Sequence, residues 1–223
     1  MHKNQVHRLL RFHGVSTLVV LAWIALAVCA PATGRADTIA DSRTDWSASG
    51  EQGVNGWTYG YYNRTDDGNN SYAADEFILF EPAHWRGTGW RLAPSNCPWT
   101  NLGQEAVHPN GTNSCPTEEH WPIRRWTSDR AGTLEVTWHT REVNLNGAGV
   151  SGRLYHNGEL IDSEVLAGGD GAGVTRTLDV TVEAGDVIDL ANTPVGPNSN
   201  RNDGSDGSAN YLVIEDGIDD PDG

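Results

Sequence analysis

The chain has 223 residues, with 15 Lys plus Arg against 30 Asp plus Glu, a formal charge of −15. That length bounds it to one ordinary domain with at most a small appendage. The acidic balance excludes the clustered cations that nucleic acid or an anionic membrane surface requires, and nine tryptophans exclude a disordered acidic chain, which is poor in aromatics.

The first 36 residues differ from the remainder. Lys3, Arg8 and Arg11 precede an apolar run from Leu18 to Ala30, which is too short for a comfortable membrane span. Small residues follow, with Ala30-Pro31-Ala32 and Gly34-Arg35-Ala36 as cleavage sites. The pattern predicts a secretory signal peptide over 1–36, hence a secreted protein, extracellular or periplasmic, with no membrane insertion after cleavage. The leader holds four of the basic residues and no acid, so the remaining chain sets eleven arginines and no lysine against 30 acids, or −19. It also removes Cys29, leaving Cys97 and Cys115, an even pair in an oxidising compartment. They are expected to form a disulfide, which would stabilise the fold by about 3 kcal/mol. Two free buried thiols are the alternative. Zinc is not expected from two thiols without Cys-x-x-Cys spacing.

Beyond the leader no long segment has a 3.6-residue period. Short β-type runs alternate with turns rich in Gly and Pro. Trp57 to Tyr62 is aromatic-rich, and Phe77 to Phe80 is stopped by Pro82. From Thr133 to Val143, Leu134, Val136 and Trp138 face one way while Glu135, Thr137, His139 and Arg141 face the other. Arg153 to Ile161 reads as a hairpin about Asn157-Gly158, the pairing that suits a type I′ turn. Thr177 to Glu183 places Leu178, Val180 and Val182 inward, Val187 to Leu190 follows, and Tyr211 to Ile214 closes the domain. Many short strands at this spacing predict an all-β, antiparallel sandwich of jelly-roll type over 37–215, with an acidic flexible tail at 216–223.

One segment breaks the rhythm. Residues 81–122 hold Trp85, Trp90, Trp99 and Trp121, both cysteines and six prolines, with little strand pattern. An irregular stretch of that length in a compact domain usually serves a purpose. It is expected to be a disulfide-closed, Trp-rich insertion.

The run from Arg124-Arg125-Trp126-Thr127-Ser128 through Ala131-Gly132-Thr133 resembles a pattern in secreted bacterial jelly-roll modules of the carbohydrate-binding-like type. The resemblance continues through Tyr155-His156-Asn157-Gly158-Glu159 and Ala184-Gly185-Asp186-Val187-Ile188-Asp189-Leu190. It ends with Gly196-Pro197-Asn198 and Asp203-Gly204-Ser205-Asp206-Gly207 before the last strand. It covers about 120–215, with a weaker echo at Trp57 to Tyr62. Such modules accompany polysaccharide-degrading enzymes, so the resemblance implies a bacterial host and an extracellular glycan or polysaccharide as partner. These motifs mark the sandwich rather than an activity, and the Trp-rich insertion is outside the pattern.

The residues themselves offer three chemistries. A sugar ring presents C–H groups to an aromatic face, and Trp85, Trp90, Trp99 and Trp121 lie among Pro, Gly and Asn, where indoles can be presented outward or packed onto the sandwich. Tyr61 and Tyr62 point to opposite faces of their strand, so one of them is expected to be exposed. Trp126 and Trp138 read as core. Asn198, Asn200, Asp203 and Asp206, crowded on a glycine-containing loop, could supply oxygens to Ca²⁺, the one cofactor the sequence suggests; ordinary turn chemistry accounts for them equally. Asp66, Asp67, Asn69 and Asn70 form a second polar loop with the same two readings. Glu105 with His108, and Glu118-Glu119-His120, bring carboxylates near imidazoles as an acid–base pair would require. No His-Glu-x-x-His, Gly-x-Ser-x-Gly or P-loop pattern is present, and no catalytic residue is assigned. The leading expectation is therefore a non-catalytic carbohydrate-binding module. An extracellular structural or surface interaction protein is the alternative, followed by a polysaccharide-active hydrolase or lyase.

Overall fold

The computed structural model describes residues 37–95, 97–113 and 117–217. The leader 1–36, Cys115 and most of the acidic tail lie outside the described residues. Among the described residues there is no α-helix, and no helix is long and apolar enough to cross a membrane.

Thirteen strands form two antiparallel sheets among these residues. The first sheet contains β1 (Thr38–Asp41), β4 (Gly89–Arg91), β5 (Asn101–Gly103), β6 (Ala106–His108), β8 (Gly132–Glu142), β11 (Val174–Val182) and β13 (Ser208–Asp216), in the order β11-β8-β13-β6-β5-β4. Strand β1 pairs with the far end of β13. The second sheet contains β2 (Trp57–Asn63), β3 (Ile78–Leu79), β7 (His120–Thr127), β9 (Ser151–His156), β10 (Glu159–Val165) and β12 (Val187–Thr193), in the order β10-β9-β12-β7-β2-β3. The two sheets make the expected antiparallel sandwich.

Period-two alternation explains the longer strands. On β8, Leu134, Val136 and Trp138 are buried, while Glu135, Thr137, His139 and Arg141 alternate with them at partial exposure. The β9–β10 hairpin turns through Asn157 (φ 51°) and Gly158 (φ 84°), both left-handed, which Asn and Gly tolerate best. Between the sheets Trp57, Tyr59, Trp126, Leu154, Ile188 and Leu190 meet Trp138, Val136, Leu212 and Ile214 in one apolar core. Arg124 of β7 also points into this core and is fully buried. Its Nε donates to Asn210 Oδ1 (2.6 Å) and its Nη2 to the Gly103 carbonyl (2.8 Å), tying the two sheets together. Burial without a carboxylate partner lowers its pKa to about 10.

The segment 81–122 departs from the expectation of an irregular insertion. It contains β4, β5 and β6, which extend the first sheet beyond β13, and it ends in the first residues of β7. Three-residue strands span too little of the alternation to show in a sequence pattern. Strand β1 was likewise not legible.

The second sheet is apolar on both faces. Tyr62, Tyr72, Trp121, Ile123, Tyr155 and Ala191 form a separate cluster on its outer side. Edge-on aromatic pairs at 4.9–5.3 Å connect Tyr72 to Tyr155 and to Tyr62, and Tyr62 to Trp121. The connection between β2 and β3 is held over this face by one largely buried network. Arg125 donates from Nε to Asp189 Oδ1 (2.7 Å) and from Nη2 to Asp189 Oδ2 (2.8 Å), to the Ala74 carbonyl (2.8 Å) and to the Tyr72 hydroxyl (2.9 Å). Tyr72 in turn donates to Asp189 Oδ2 at 2.7 Å.

The loop carrying the four expected calcium ligands is built by turn chemistry. Asn198 sits at left-handed φ (58°) and, like Asn200, is exposed. Asn200 Oδ1 accepts the Asn202 N–H, Asp203 Oδ2 accepts the Gly111 N–H (2.8 Å), and Asp206 Oδ1 accepts the Ala148 N–H (3.0 Å). Asp203 and Asp206 are buried, whereas the two asparagines face solvent. Among the described residues no three His, Cys, Asp or Glu side chains gather as a metal group. Two oxygens remain unpartnered here: Asp206 Oδ2 and Oε1 of the equally buried Glu142. Burial raises Glu142 to about 8, helped by the Asp206 charge and, after it, Asp170. Burial also raises Asp206 to about 7, with Asp203 adding to it. Glu142 therefore keeps its proton at neutral pH, where Asp206 is near the midpoint of its titration.

Two outcomes follow from this packing. Asp189→Ala leaves the Arg125 guanidinium without its buried partner and should cost about 3–5 kcal/mol in urea unfolding, whereas Tyr72→Phe, which removes one hydroxyl, should cost about 1 kcal/mol. Equal, small losses would show that the network does not hold the connection. The acid pair sets a pH dependence as well. Because both folded pKa values lie above the ordinary carboxyl range near 4, the folded state binds more protons than the unfolded one. Stability is then fully present below about pH 4 for these groups and declines as pH rises through 7 to 8. The melting temperature should fall between pH 5 and 9, and Glu142→Gln should flatten that fall; an unchanged slope in the variant would refute the assignment.

Candidate functional site

With the outer face of the second sheet covered, the outer face of the first sheet is the open one. Its long strands present Thr175, Thr177, Asp179 and Thr181 from β11, next to His139, Thr137, Glu135 and Thr133 from β8. Threonine hydroxyls pair across the strands, Thr137 with Thr177 at 2.7 Å and Thr133 with Thr181 at 3.1 Å. On β13, Tyr211 stacks against His139 (4.8 Å, 19°), and the Arg43 guanidinium lies 3.9 Å from the Tyr211 ring centre. Asp41 holds Arg43 by two hydrogen bonds, at 3.0 and 2.8 Å.

The face deepens where the short strands join it. One hollow of about 220 Å³ is lined by Arg91, Ala93, Ser95, Pro98, Trp99, Thr100, Asn101 and His108. A second, of about 440 Å³, is lined by Asn101, Glu105, Ala106, Val107, His108, Arg141, Val143, Gly207, Ser208 and Ala209. Asn101 and His108 belong to both, so the two form one trough. Trp99 is 43% exposed and its ring lies 6.0 Å from His108, tilted by 38°. Its backbone is fixed on both sides: the Trp99 N–H donates to Asn110 Oδ1 (2.8 Å), and Asn101 Nδ2 donates to the Trp99 carbonyl (3.0 Å). His108 Nδ1 is 2.7 Å from the Pro109 carbonyl, and burial lowers the ring's pKa. The trough thus combines an apolar indole face with amide, imidazole, carboxylate and guanidinium groups. That is the composition of a site for a polar ring with one apolar face.

The six aromatic residues expected from sequence to bind ligand are not brought together. Trp99 alone among them is exposed. Trp90 is 1% exposed and lies parallel to Phe80 in the core (6.0 Å, 3°), because the central residue of β4 faces inward. Trp121 is buried beneath the covered face, its Nε1 donating to Glu119 Oε1 at 2.7 Å. Trp85 is half-buried, edge-on to Trp90 at 5.1 Å. Tyr61 and Tyr62 do face opposite ways, but neither is exposed: Tyr61 packs at the core's margin against Phe80 and His120, and Tyr62 belongs to the outer cluster. The expectation of one exposed tyrosine failed because the β2–β3 connection covers the face that alternation alone leaves to solvent.

The acid–base candidates separate in the same way. Glu119 is buried, with its carboxylate held by Arg201 (2.5 and 2.6 Å) and Arg64 (3.4 Å). His120 is buried and driven down to about 4 by desolvation. Of these residues only Glu105 and His108 reach the trough. Sequence reasoning paired them as an acid and base but did not place Arg91 and Asn101 beside Trp99, or Arg141 in the hollow shared with His108. Alternation on β8 marked Arg141 as outward, whereas nothing local marks the β4–β6 residues.

No protein-family profile matches the chain, and no curated protein matches it. Among solved structures it is similar to a family 35 carbohydrate-binding module from Clostridium thermocellum, at 13% identity and a TM-score of 0.28, covering 44% of this chain and 72% of that one. It is similar to a family 51 module from Clostridium perfringens in complex with methyl-galactose, at 12% identity and a TM-score of 0.31, covering 53% and 75%. A β-glucosidase from Kluyveromyces marxianus aligns at 16% identity and a TM-score of 0.34, over 74% of this chain and 18% of the enzyme. At TM-scores below 0.5 these alignments carry no functional argument, and the fold assignment rests on the sheet topology. The structural neighbours named here are mainly carbohydrate-binding modules, matched over about half of the chain.

Proposed function

We propose that this chain is a secreted, non-catalytic carbohydrate-binding jelly-roll module and that its glycan docks in the trough beside Trp99. The observation that carries the reading is the exposed indole, fixed by backbone hydrogen bonds next to Asn101 and His108. A preorganised aromatic face loses little conformational entropy when a sugar ring stacks on it. The hydroxyls of that ring find donors and acceptors within the same hollow. Polysaccharide cleavage is the weaker reading, because Glu119 and His120 are buried in structural contacts and only Glu105 and His108 line the trough.

We assign Cys97 and Cys115, the latter outside the described residues, as a disulfide pair. The bridge would anchor the segment leading into Trp99. Non-reducing peptide mass spectrometry of the secreted protein should find the two segments linked, and reduction should lower stability by about 3 kcal/mol. Free Cys115 thiol would refute the pairing.

The site is tested by comparing two tryptophans. Trp99→Ala should weaken retention on polysaccharide by about fivefold, the equivalent of one aromatic contact near 1 kcal/mol, with the melting temperature nearly unchanged. Trp90→Ala should instead destabilise by about 3–5 kcal/mol, since it empties a core position. Parental retention by a folded Trp99→Ala protein would place the site elsewhere.

A further inference from the structure

The distribution of arginines narrows the ligand of this trough, on the reading that it binds a glycan. All basic residues beyond the leader are arginines, and most are committed within the protein. Arg43, Arg64, Arg125, Arg130, Arg176 and Arg201 are in ion pairs with Asp or Glu. Arg124 is buried between the sheets, Arg86 donates to the Ala83 carbonyl, and Arg153 lies over the Trp121 ring. Among the described residues, the side chains of Arg91 and Arg141 alone make no ion pair, hydrogen bond or ring contact. Both line the trough: Arg91 from β4 in the smaller hollow with Trp99, Arg141 from β8 in the larger one, with His108 common to both.

This placement runs against the charge of the molecule. In a chain with twice as many acids as bases, an arginine without a carboxylate is the exception, and two of them converge on one depression. A guanidinium left free in this way keeps its planar fork available for a carboxylate or sulfate, which it meets through paired charge-assisted hydrogen bonds. Glu105 is the trough's one acid, and its charge is felt by Arg43 and His139. It would repel an anionic group from its own side and leave Arg91 and Arg141 as the places to receive one. We infer that the glycan is an acidic polysaccharide, whose carboxylate or sulfate groups are held by Arg91 and Arg141 while a sugar ring stacks on Trp99. Elsewhere the strongly acidic surface repels polyanions, so retention of one reports a local site rather than ion exchange.

Affinity gel electrophoresis of the secreted protein tests this against paired polymers that differ only in charge. The pairs are polygalacturonate with its methyl ester, and dextran sulfate with dextran; a neutral xylan and a β-glucan complete the panel. The protein should be retarded at least tenfold more strongly by one acidic polymer than by its neutral counterpart, and which acidic polymer it is tells carboxylate from sulfate. Arg91→Gln and Arg141→Gln should each reduce that retardation about fivefold or more, and Trp99→Ala should also reduce it, all three at parental melting temperature. Equal retardation by neutral and acidic partners, with arginine variants like the parent and Trp99→Ala impaired, would overturn the acidic ligand and leave the glycan site standing. Retardation by none of the polymers would overturn both, and acidic binding insensitive to all three substitutions would move the anion site away from the trough.

Discussion

The partly buried ion pair between Arg125 and Asp189 decides which face of the second sheet is covered. Alternation on β2, β7, β9 and β12 puts aromatic and aliphatic groups on both faces of the second sheet, so one apolar face would be left to water. The bidentate pair, closed by the Tyr72 hydroxyl and the Ala74 carbonyl, pins the β2–β3 connection across that face. A charged pair out of water is favourable only when its remaining hydrogen-bonding capacity is met, and here tyrosine and backbone groups meet it. What the network secures is the aromatic cluster beneath, whose burial supplies the favourable free energy. Among the described residues the first sheet has no such cover, and its outer face carries hydroxyls, charges and the exposed Trp99.

A fully buried cation works across the sandwich. Arg124 has no acid partner and depends on Asn210 of β13 and the carbonyl of Gly103 at the end of β5. It therefore joins the second sheet to two strands of the first, one of which belongs to the short-strand extension that carries the trough. The position of β5, and with it Asn101, is coupled to the core rather than left to a loop. The stacking platform we propose at Trp99 gains from that rigidity, because each group ordered on binding subtracts from affinity.

The acidic end of the sandwich follows different physics. Asp203 and Asp206 are folded inward to accept backbone N–H groups, and Asp206 meets Glu142 there with an oxygen of each left unpartnered. Desolvation makes protonation the cheaper state for such a pair. A loop whose composition resembles a cation site is thus organised by its own backbone, and the same residues serve as turn formers and as a proton store.

The longer strands were legible in the residues because their alternation extends over enough positions to exceed chance. Leu134, Val136 and Trp138, the Asn157-Gly158 turn and the inward Leu178, Val180 and Val182 are local signals, and the antiparallel sandwich follows from them. The exposure of individual aromatics was not legible. Trp90, Trp99 and Trp121 have similar Pro- and Gly-rich surroundings, yet two are buried and one is exposed. Trp90 is turned inward by a three-residue strand, and Trp121 is covered by a connection about 50 residues earlier in the chain. The trough joins residues from β4, β5, β6 and β8, and no local pattern encodes that meeting. Sequence by itself determined the longer sheet-forming segments and the inward face of each long strand, since both arise from neighbours along the chain. Tertiary structure alone decided which outward face stays open and which arginines remain unpaired there, because both depend on contacts between segments far apart in sequence.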